Sequence, residues 1–155
     1  MAERKRQYWL LKSEPTSYSL DDLKRDGTTA WTGVRNYQAR NYMRDDMKPG
    51  DGVLFYHSST DPMAIVGVCE ITSVGKFDET ALDPKDHHYD PKSTPQNPIW
   101  FAVDVKYKRT FAEPITLTEA KSMKGLEKMV LLQKGSRLSI QPVTDKEWEI
   151  ISKRK

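Results

Sequence analysis

Three polar residues, Lys12, Ser13 and Glu14, stand directly after an apolar segment that is typical of a β-strand. A side chain at the end of a strand can leave the sheet and contact a ligand. The Glu14 carboxylate could accept a hydrogen bond from the exocyclic amine of cytosine or adenine, Ser13 could bind a base edge, and Lys12 could reach a phosphate. The alternatives are a surface glutamate before a proline, a serine that caps a turn, and a solvated lysine.

A second polar group, Tyr56, His57 and Ser58, stands at the end of another predicted strand. A tyrosine and a histidine in this position suit stacking on a planar ligand and hydrogen bonding to it. His57 could act as a general base only beside a nucleophile or a substrate, and the sequence does not define either.

Two tryptophans are candidates for the flat walls that a nucleobase pocket needs. Trp31 lies between a polar segment and a predicted helix start, outside any amphipathic stripe. Trp100 opens a strand and could form a second wall. For both residues the alternative is packing in the core, and Trp9 and Trp148 are assigned to the core.

A basic track could follow the second predicted helix. Arg35 and Asn36 lie at its start, where unpaired backbone N–H groups and a guanidinium favour an anion. Asn36 is also a good N-cap, and the two functions are compatible. Arg40 and Arg44 continue one side of the helix, so they could contact phosphates; a solvated helix face is the alternative.

The sequence lacks the motifs of metal sites, serine hydrolases and nucleotide-binding loops. One loop contains several potential metal ligands, namely Asp83, Asp86, His87, His88 and Asp90. Adjacent histidines do not have the spacing of common zinc motifs, and the chain has a single cysteine, so we predict no metal and no cofactor. The chain contains no G-x-S-x-G elbow, no phosphate-binding loop and no dinucleotide glycine pattern.

The elements that must position these residues predict an α+β fold with one core. Strands are expected at 8–12, 53–57, 65–74, 100–107 and 137–143, and residues 28–33 are expected to form a connection. Helices are expected after Ser19, Asn36, Thr116 and Thr144; an acidic residue three positions after Ser19, Thr116 and Thr144 indicates a capping box. The order of elements favours an antiparallel or mixed sheet.

Size and composition agree with one domain over residues 1–155. Hydrophobic residues make up 37% of the chain and charged residues 30%, as in ordinary globular domains. No apolar run reaches the roughly 18 residues of a membrane span, and the basic start precedes too short an apolar run for a signal peptide. We expect a cytoplasmic protein, or a nuclear one in a eukaryote. The net charge of +3 permits nucleic-acid binding, and the lack of a heptad seam favours a monomer.

Several blocks of residues together carry a family resemblance. They are Tyr8-Trp9-Leu10-Leu11-Lys12-Ser13-Glu14-Pro15, Trp31-Thr32-Gly33-Val34-Arg35-Asn36-Tyr37-Gln38-Ala39-Arg40-Asn41, Gly50-Asp51, Phe55-Tyr56-His57-Ser58, Tyr89-Asp90-Pro91-Lys92-Ser93 and Arg137-Leu138-Ser139-Ile140-Gln141-Pro142-Val143. In this order and spacing they resemble the EVE domain family over residues 8 to about 151. The resemblance implies a PUA-like β-barrel flanked by helices. It also implies kinship with YTH domains, which bind methylated adenine in RNA through an aromatic cage.

The function that the resemblance implies is recognition of a modified base in DNA or RNA, with 5-methylcytosine and 5-hydroxymethylcytosine favoured and no catalysis. The residues expected to bind the base are Lys12, Ser13, Glu14, Trp31, Val34, Arg35, Asn36, Tyr56, His57, Ser58 and Trp100. Those expected to contact phosphates are Arg40 and Arg44. An enzyme acting on nucleic acid or nucleotides is the alternative, and a small-molecule binder that uses the same pocket is a third possibility.

Overall fold

The computed structural model describes residues 5–134 and 138–155. The strands within these ranges are β1 (Tyr8–Ser13), β2 (Thr28–Trp31), β3 (Gly52–His57), β4 (Ala64–Phe77), β5 (Phe101–Thr116) and β6 (Ile140–Val143). The helices are α1 (Leu20–Asp26), α2 (Tyr37–Asn41), α3 (Leu117–Ser122) and α4 (Asp145–Ser152). A π-helical turn over Tyr42–Asp46 continues α2, and short 3-10 turns cover Glu79–Leu82 and Val130–Leu132. Arg137, the expected start of the last strand, lies outside the described residues.

The helices begin where the sequence predicts. Capping boxes are present at Ser19 before α1 and at Thr144 before α4. At α3, Thr116 accepts from the Glu119 N–H over 3.0 Å, while the Glu119 carboxylate contacts Arg154. Within the described ranges, no helix is both long enough and apolar enough to cross a membrane.

One sheet has the strand order β2-β5-β4-β3-β1-β6. β1 and β3 are parallel and the other four pairings are antiparallel. The α+β class and the mixed sheet are therefore confirmed. The predicted closure into a barrel is wrong for the described strands, because β2 pairs only with β5 and β6 only with β1. Both outer strands have only four residues, which leaves the sheet open between them.

Residues 28–31 are a strand rather than the expected connection. β2 pairs with β5, and Trp31 lies opposite Val103. Thr28, Thr29 and Ala30 lack the alternating apolar pattern that identifies a strand, because β2 is an edge strand with exposed positions. β4 and β5 are also longer than predicted, and shifts in their pairing register bend this long ribbon.

Within the described ranges, buried apolar residues form two clusters rather than the single core expected. Leu11 and Phe55 belong to one cluster, and Leu10 and Leu54 belong to the other. Successive side chains of a strand point to opposite faces of the sheet, so β1 and β3 contribute to both clusters. The expectation of one core is wrong because both faces of these central strands are apolar.

Candidate functional site

A cavity of about 780 Å³ lies on the open side of the sheet, between the end of β1 and β2. Its volume is in the range of small-molecule and base-binding pockets, roughly 300–1,000 Å³. Four segments supply the lining, which consists of Lys12, Ser13, Glu14, Ser17, Tyr18, Thr29, Ala30, Trp31, Thr32, Gly33, Val34, Arg35, Asn36, His87, His88 and Ser139. The gap left by the open sheet is thus a candidate ligand site.

Trp31 ends β2 and forms a wall of this cavity. Its ring is half-buried and packs against the first hydrophobic cluster, with an edge-to-face contact to Phe55 at a centroid distance of 5.6 Å. The contact with Phe55 agrees with the core-packing alternative, and the base-wall interpretation stays a prediction. Trp31 is anchored in the core and also presents surface to the cavity.

The turn after β1 carries Glu14 at the cavity mouth. Ser13 Oγ donates to the Tyr18 carbonyl over 2.5 Å, and the Ser17 and Tyr18 N–H groups each donate to the Glu14 carbonyl over 2.9 Å. These bonds fix the backbone of the turn and leave the Glu14 side chain exposed. Its carboxylate accepts from Ser59 Oγ over 3.2 Å, and a carboxylate has capacity for further donors.

The loop between β2 and α2 is held by the buried carboxylate of Asp78. This side chain accepts from the Gly33 N–H over 2.7 Å, from Arg35 Nη1 over 2.9 Å and from Thr80 Oγ1 over 2.6 Å. Burial disfavours the charged form of Asp78, but the hydrogen bonds from Arg35, Thr80 and Gly33 outweigh it, so its pKa is lowered. An ionised Asp78 therefore anchors one wall of the cavity.

Arg35 positions this loop through all of its donors. Nε and Nη2 donate to the His88 carbonyl over 3.0 and 2.6 Å. Nη1 donates to the Val34 carbonyl and to Asp78, and Nη2 also donates to Thr80 Oγ1. Since a guanidinium has five N–H groups, these five bonds leave none directed at a phosphate.

The other predicted residues that line the cavity have mixed surroundings. Asn36 is the N-cap of α2 and accepts from the Ala39 N–H over 3.0 Å, while Val34 is buried against the core. Lys12 is half-buried, and burial lowers the pKa of its ammonium group. Its Nζ lies 5.9 Å from the centre of the Tyr56 ring.

The Tyr56–Ser58 group lies outside the cavity lining. Tyr56 is buried in the second cluster, and the Ser58 N–H donates to the Ser13 carbonyl over 3.0 Å. His57 Nε2 accepts from the Leu20 N–H over 3.1 Å, and burial lowers the pKa of the imidazole. This bond requires a neutral ring with its proton on Nδ1, so Nε2 is occupied and is not free to act as a base.

Trp100 also lies outside the lining. It is buried, its Nε1 donates to Asp90 over 2.7 Å, and its ring stacks on Tyr37 at 5.0 Å. These contacts match the core-packing alternative for Trp100.

The two remaining arginines lie on α2 and on the π-helical turn that follows it. Arg40 donates to the Ile99 carbonyl over 2.9 Å and lies over the Tyr37 ring. Arg44 forms a two-bond ion pair with its neighbour Asp45. Neither arginine lines the cavity, and any phosphate contact they made would be outside it.

Several residues at the cavity were not selected as base contacts from the sequence. Tyr18, His88 and Ser139 line the cavity, and Asp78 holds its wall through the Gly33 N–H. Asp78 had one local signal, since an aspartate two residues before a threonine suits the start of a short turn. Its partners Gly33 and Arg35 are more than 40 positions away, and no local pattern reveals them.

The EVE domain family model matches residues 7–154. The chain belongs to the EVE domain family. Among its relatives is human thymocyte nuclear protein 1, which is 40% identical over 163 residues; the match covers 93% of this chain and 72% of the human protein.

Solved structures agree with this assignment. A crystal structure of a Pseudomonas putida protein is 47% identical, has a TM-score of 0.89, and matches over 93% of this chain and 96% of that one. The human THYN1 protein in complex with DNA containing 5-methylcytosine is 38% identical, with a TM-score of 0.88 and coverage of 95% and 96%. One homologous structure therefore contains DNA with a modified cytosine.

Proposed function

We propose that this chain is a binding module for DNA that carries a modified cytosine, and that the modified base enters the cavity between β1 and β2. One observation carries the proposal: a cavity of suitable size combines the Trp31 wall with an exposed carboxylate at its mouth. The human relative in complex with 5-methylcytosine DNA supports DNA and modified cytosine as the ligand.

The base would bind as an extruded nucleotide, because a base inside a duplex cannot present its face and its edge to a pocket. Trp31 would stack on the ring. Glu14 would accept from the N4 amine of cytosine, and Val34 would add apolar surface near the ring. Lys12, Ser13 and Asn36 would line the rest of the site, with Arg35 holding its wall in place.

The phosphates would lie outside the cavity. Arg40 and Arg44 are the proposed contacts, since both lie near the surface beside the α2 wall. Arg44 would have to exchange its pairing with Asp45 for a phosphate oxygen, which its exposure permits.

This function requires no catalysis, cofactor or metal, and we propose a non-enzymatic reader that acts as a monomer. Nuclear residence in a eukaryote, or the cytoplasm elsewhere, would bring it to DNA. The binding experiment described below also includes RNA that carries the same modification. Sedimentation showing a stable dimer at low micromolar concentration would contradict the monomer.

Two variants test the pocket against oligonucleotides of both sugars, with cytosine, 5-methylcytosine, 5-hydroxymethylcytosine or thymine, which lacks the exocyclic amine, at one position. Trp31→Ala should weaken binding of the preferred modified DNA by about 1–3 kcal/mol, the contribution of one stacked base. Glu14→Gln should reduce discrimination for bases with an exocyclic amine by about 1–3 kcal/mol and leave stacking intact. Fluorescence anisotropy measures both effects.

Tyr89→Ala and Glu149→Gln are matched controls, because both residues are exposed and neither lines the cavity. Melting curves of all four variants separate binding from folding, since Trp31 also packs on Phe55. If both pocket variants fold and still bind like the parent, the pocket assignment is wrong. Absence of any preference for modified cytosine in the parent would remove the proposed function itself.

A further inference from the structure

Three consecutive side chains converge in the loop between β4 and β5. Asp86 Oδ1 lies 3.1 Å from His88 Nδ1 and 3.7 Å from His87 Nδ1, and the two imidazole rings have centroids 3.8 Å apart. Both histidines also line the cavity between β1 and β2. We propose that Asp86, His87 and His88 form a binding site for a divalent first-row transition-metal ion at the rim of this cavity.

The spacing of the ligand atoms fits such an ion. Zinc binds histidine nitrogen at about 2.0–2.1 Å and carboxylate oxygen at about 2.0–2.2 Å, so ligands in tetrahedral or octahedral arrangement lie roughly 3.0–3.5 Å apart. The observed separations of 3.1 and 3.7 Å are close to these values. All three ligand atoms lie within 4.8 Å of one another, and a movement of the exposed His87 ring would bring them to a common ion.

The loop backbone explains how adjacent residues can act together. The Asp86 N–H donates to the Asp83 carbonyl and the Tyr89 N–H donates to the Asp86 carbonyl, each over 3.0 Å. These turns fold the chain so that His87 and His88 fall on the same side as the Asp86 carboxylate. The turns bring adjacent residues together without the sequence spacing of common zinc motifs. Sequence analysis relied on that spacing and therefore predicted no metal site.

Two of the three ligands are already held in place. The His88 carbonyl accepts two bonds from Arg35, and its ring packs over Gly33, which has no Cβ to collide with it. The His88 N–H donates to Asp86 Oδ1 over 2.8 Å, which orients the carboxylate. The side chain of His87 is 85% exposed and free to adjust.

The donor set determines which ions are favoured. Two imidazoles and one carboxylate suit Zn²⁺, Ni²⁺ or Cu²⁺, whereas Mg²⁺ and Ca²⁺ prefer oxygen ligands alone. Three protein ligands also leave at least one coordination position open to water. The proposal is independent of which nucleic acid enters the cavity.

Calorimetric titration of the full chain with Zn²⁺, after removal of any histidine tag, tests the site. We expect one zinc ion to bind per chain and no comparable binding of Mg²⁺. The single variants His87→Gln, His88→Gln and Asp86→Asn should each lose this binding. Asp83→Asn should retain it, because Asp83 is an exposed carboxylate of the same loop outside the cluster.

His87→Gln keeps the test valid if the other variants fold poorly, since His87 is the most exposed ligand. Amide resonances should shift on zinc addition mainly within residues 83–90. The proposal is overturned if the parent binds no zinc. It is equally overturned if the double variant His87→Gln/His88→Gln still binds one ion, or if the shifts centre on His57.

Discussion

Gly33 meets two structural demands at one position. Its φ of +82° lies in the left-handed region, and an added Cβ would come within 2.7 Å of His88 Nε2. Gly27 has nearly the same φ, +80°, but no atom within 4 Å of the corresponding position. The pair therefore separates the cost of the backbone conformation from the cost of the contact with His88.

Gly33→Ala should destabilise the protein more than Gly27→Ala. Both variants lose about 1–2 kcal/mol because an L-residue is strained at positive φ. Gly33→Ala should cost about 1 kcal/mol more, since it pushes the His88 ring away from Asp86 and so loses one hydrogen bond. Urea unfolding gives both values.

In a His88→Ala background, Gly33→Ala should cost no more than Gly27→Ala, because the ring that collides with the new methyl group is already gone. Equal losses for the two alanine variants would mean that the His88 ring moves aside without cost, and the steric argument would fail.

For individual residues, the sequence indicated candidate site residues better than it indicated their hydrogen-bond partners. Glu14 and Trp31 were selected because a polar strand end and an isolated tryptophan are visible in the chain itself. Asp78 was missed, and Arg35 was predicted to contact an anion. The hydrogen bond that joins these two residues crosses 43 positions, and only the folded chain brings them together.

α1 begins with two polar contacts, one of which joins it to β3. Ser19 caps the helix, and the N–H of its first residue, Leu20, donates to His57 Nε2 at the end of β3. The turn that carries Glu14 lies immediately before α1, so this bond also fixes the chain that forms one side of the cavity. A neutral His57 is a condition for the contact.

The stability of the protein should fall as the pH drops below about 6.5. Burial lowers the pKa of His57 from 6.5, against a weaker opposing effect of Asp21. Between the lowered pKa and 6.5 the unfolded chain binds more protons than the folded one, so the free energy of unfolding rises with pH. This contribution is complete above 6.5 and is lost progressively below it.

Urea unfolding of the parent and of His57→Gln at pH 7.5 and pH 5.5 measures this effect. Glutamine can accept the Leu20 hydrogen bond and does not titrate, so the variant should show a smaller difference between the two pH values. An equal difference in both proteins would assign the pH dependence to other groups.

Among the elements, local signals predicted helices well and edge strands poorly. Ser19 and Thr144 are capping residues whose partners lie three positions away, within reach of pattern analysis. β2 has a single neighbour in the sheet, and its Thr28, Thr29 and Ala30 show no apolar alternation. Its identity as a strand depends on β5, which lies about 70 residues later in the chain.

Positive charge is distributed over the molecule, and part of it is paired with nearby carboxylates. The chain has 25 basic and 22 acidic residues. Arg25 pairs with Asp22 and Asp26, and Arg44 pairs with Asp45. A molecule with charges arranged in this way should bind DNA with few direct phosphate contacts.

The affinity for modified DNA should therefore fall only modestly with salt. Two to four phosphate contacts give a log–log slope of roughly −2 to −4. Because the donors of Arg35 are occupied, we expect a value near the shallow end. Arg40→Gln should reduce the slope by about 1. Anisotropy titrations between low and moderate salt measure the slopes.

Arg25→Gln is the matched control, since Arg25 lies on α1 with its own acidic partners and does not line the cavity. It should leave the slope unchanged. A flat salt response in the parent would remove Arg40 and Arg44 from the interface.

For the whole molecule, the order of elements predicted the α+β class and the residue blocks indicated the family, whereas the predicted closure of the sheet was wrong. Closure depends on whether the two outer strands reach each other, and both have only four residues. The number of cores was also wrong. β1 and β3 contain continuous apolar runs, namely Leu10-Leu11 and Leu54-Phe55. The sequence does not show that each face of these strands packs against its own cluster of apolar residues.

The position of Trp31 gives the protein an optical reporter of its own cavity. Of the four tryptophans, Trp9 and Trp100 are buried and Trp148 stacks on Tyr8, so Trp31 is the indole that lines the cavity. A base stacked on that indole should quench its emission. Titration with unlabelled modified DNA should therefore dim the intrinsic fluorescence to a plateau, whereas Trp31→Phe, which retains an aromatic wall, should bind with little change in signal. Quenching that persists in the variant would place the ligand beside another tryptophan.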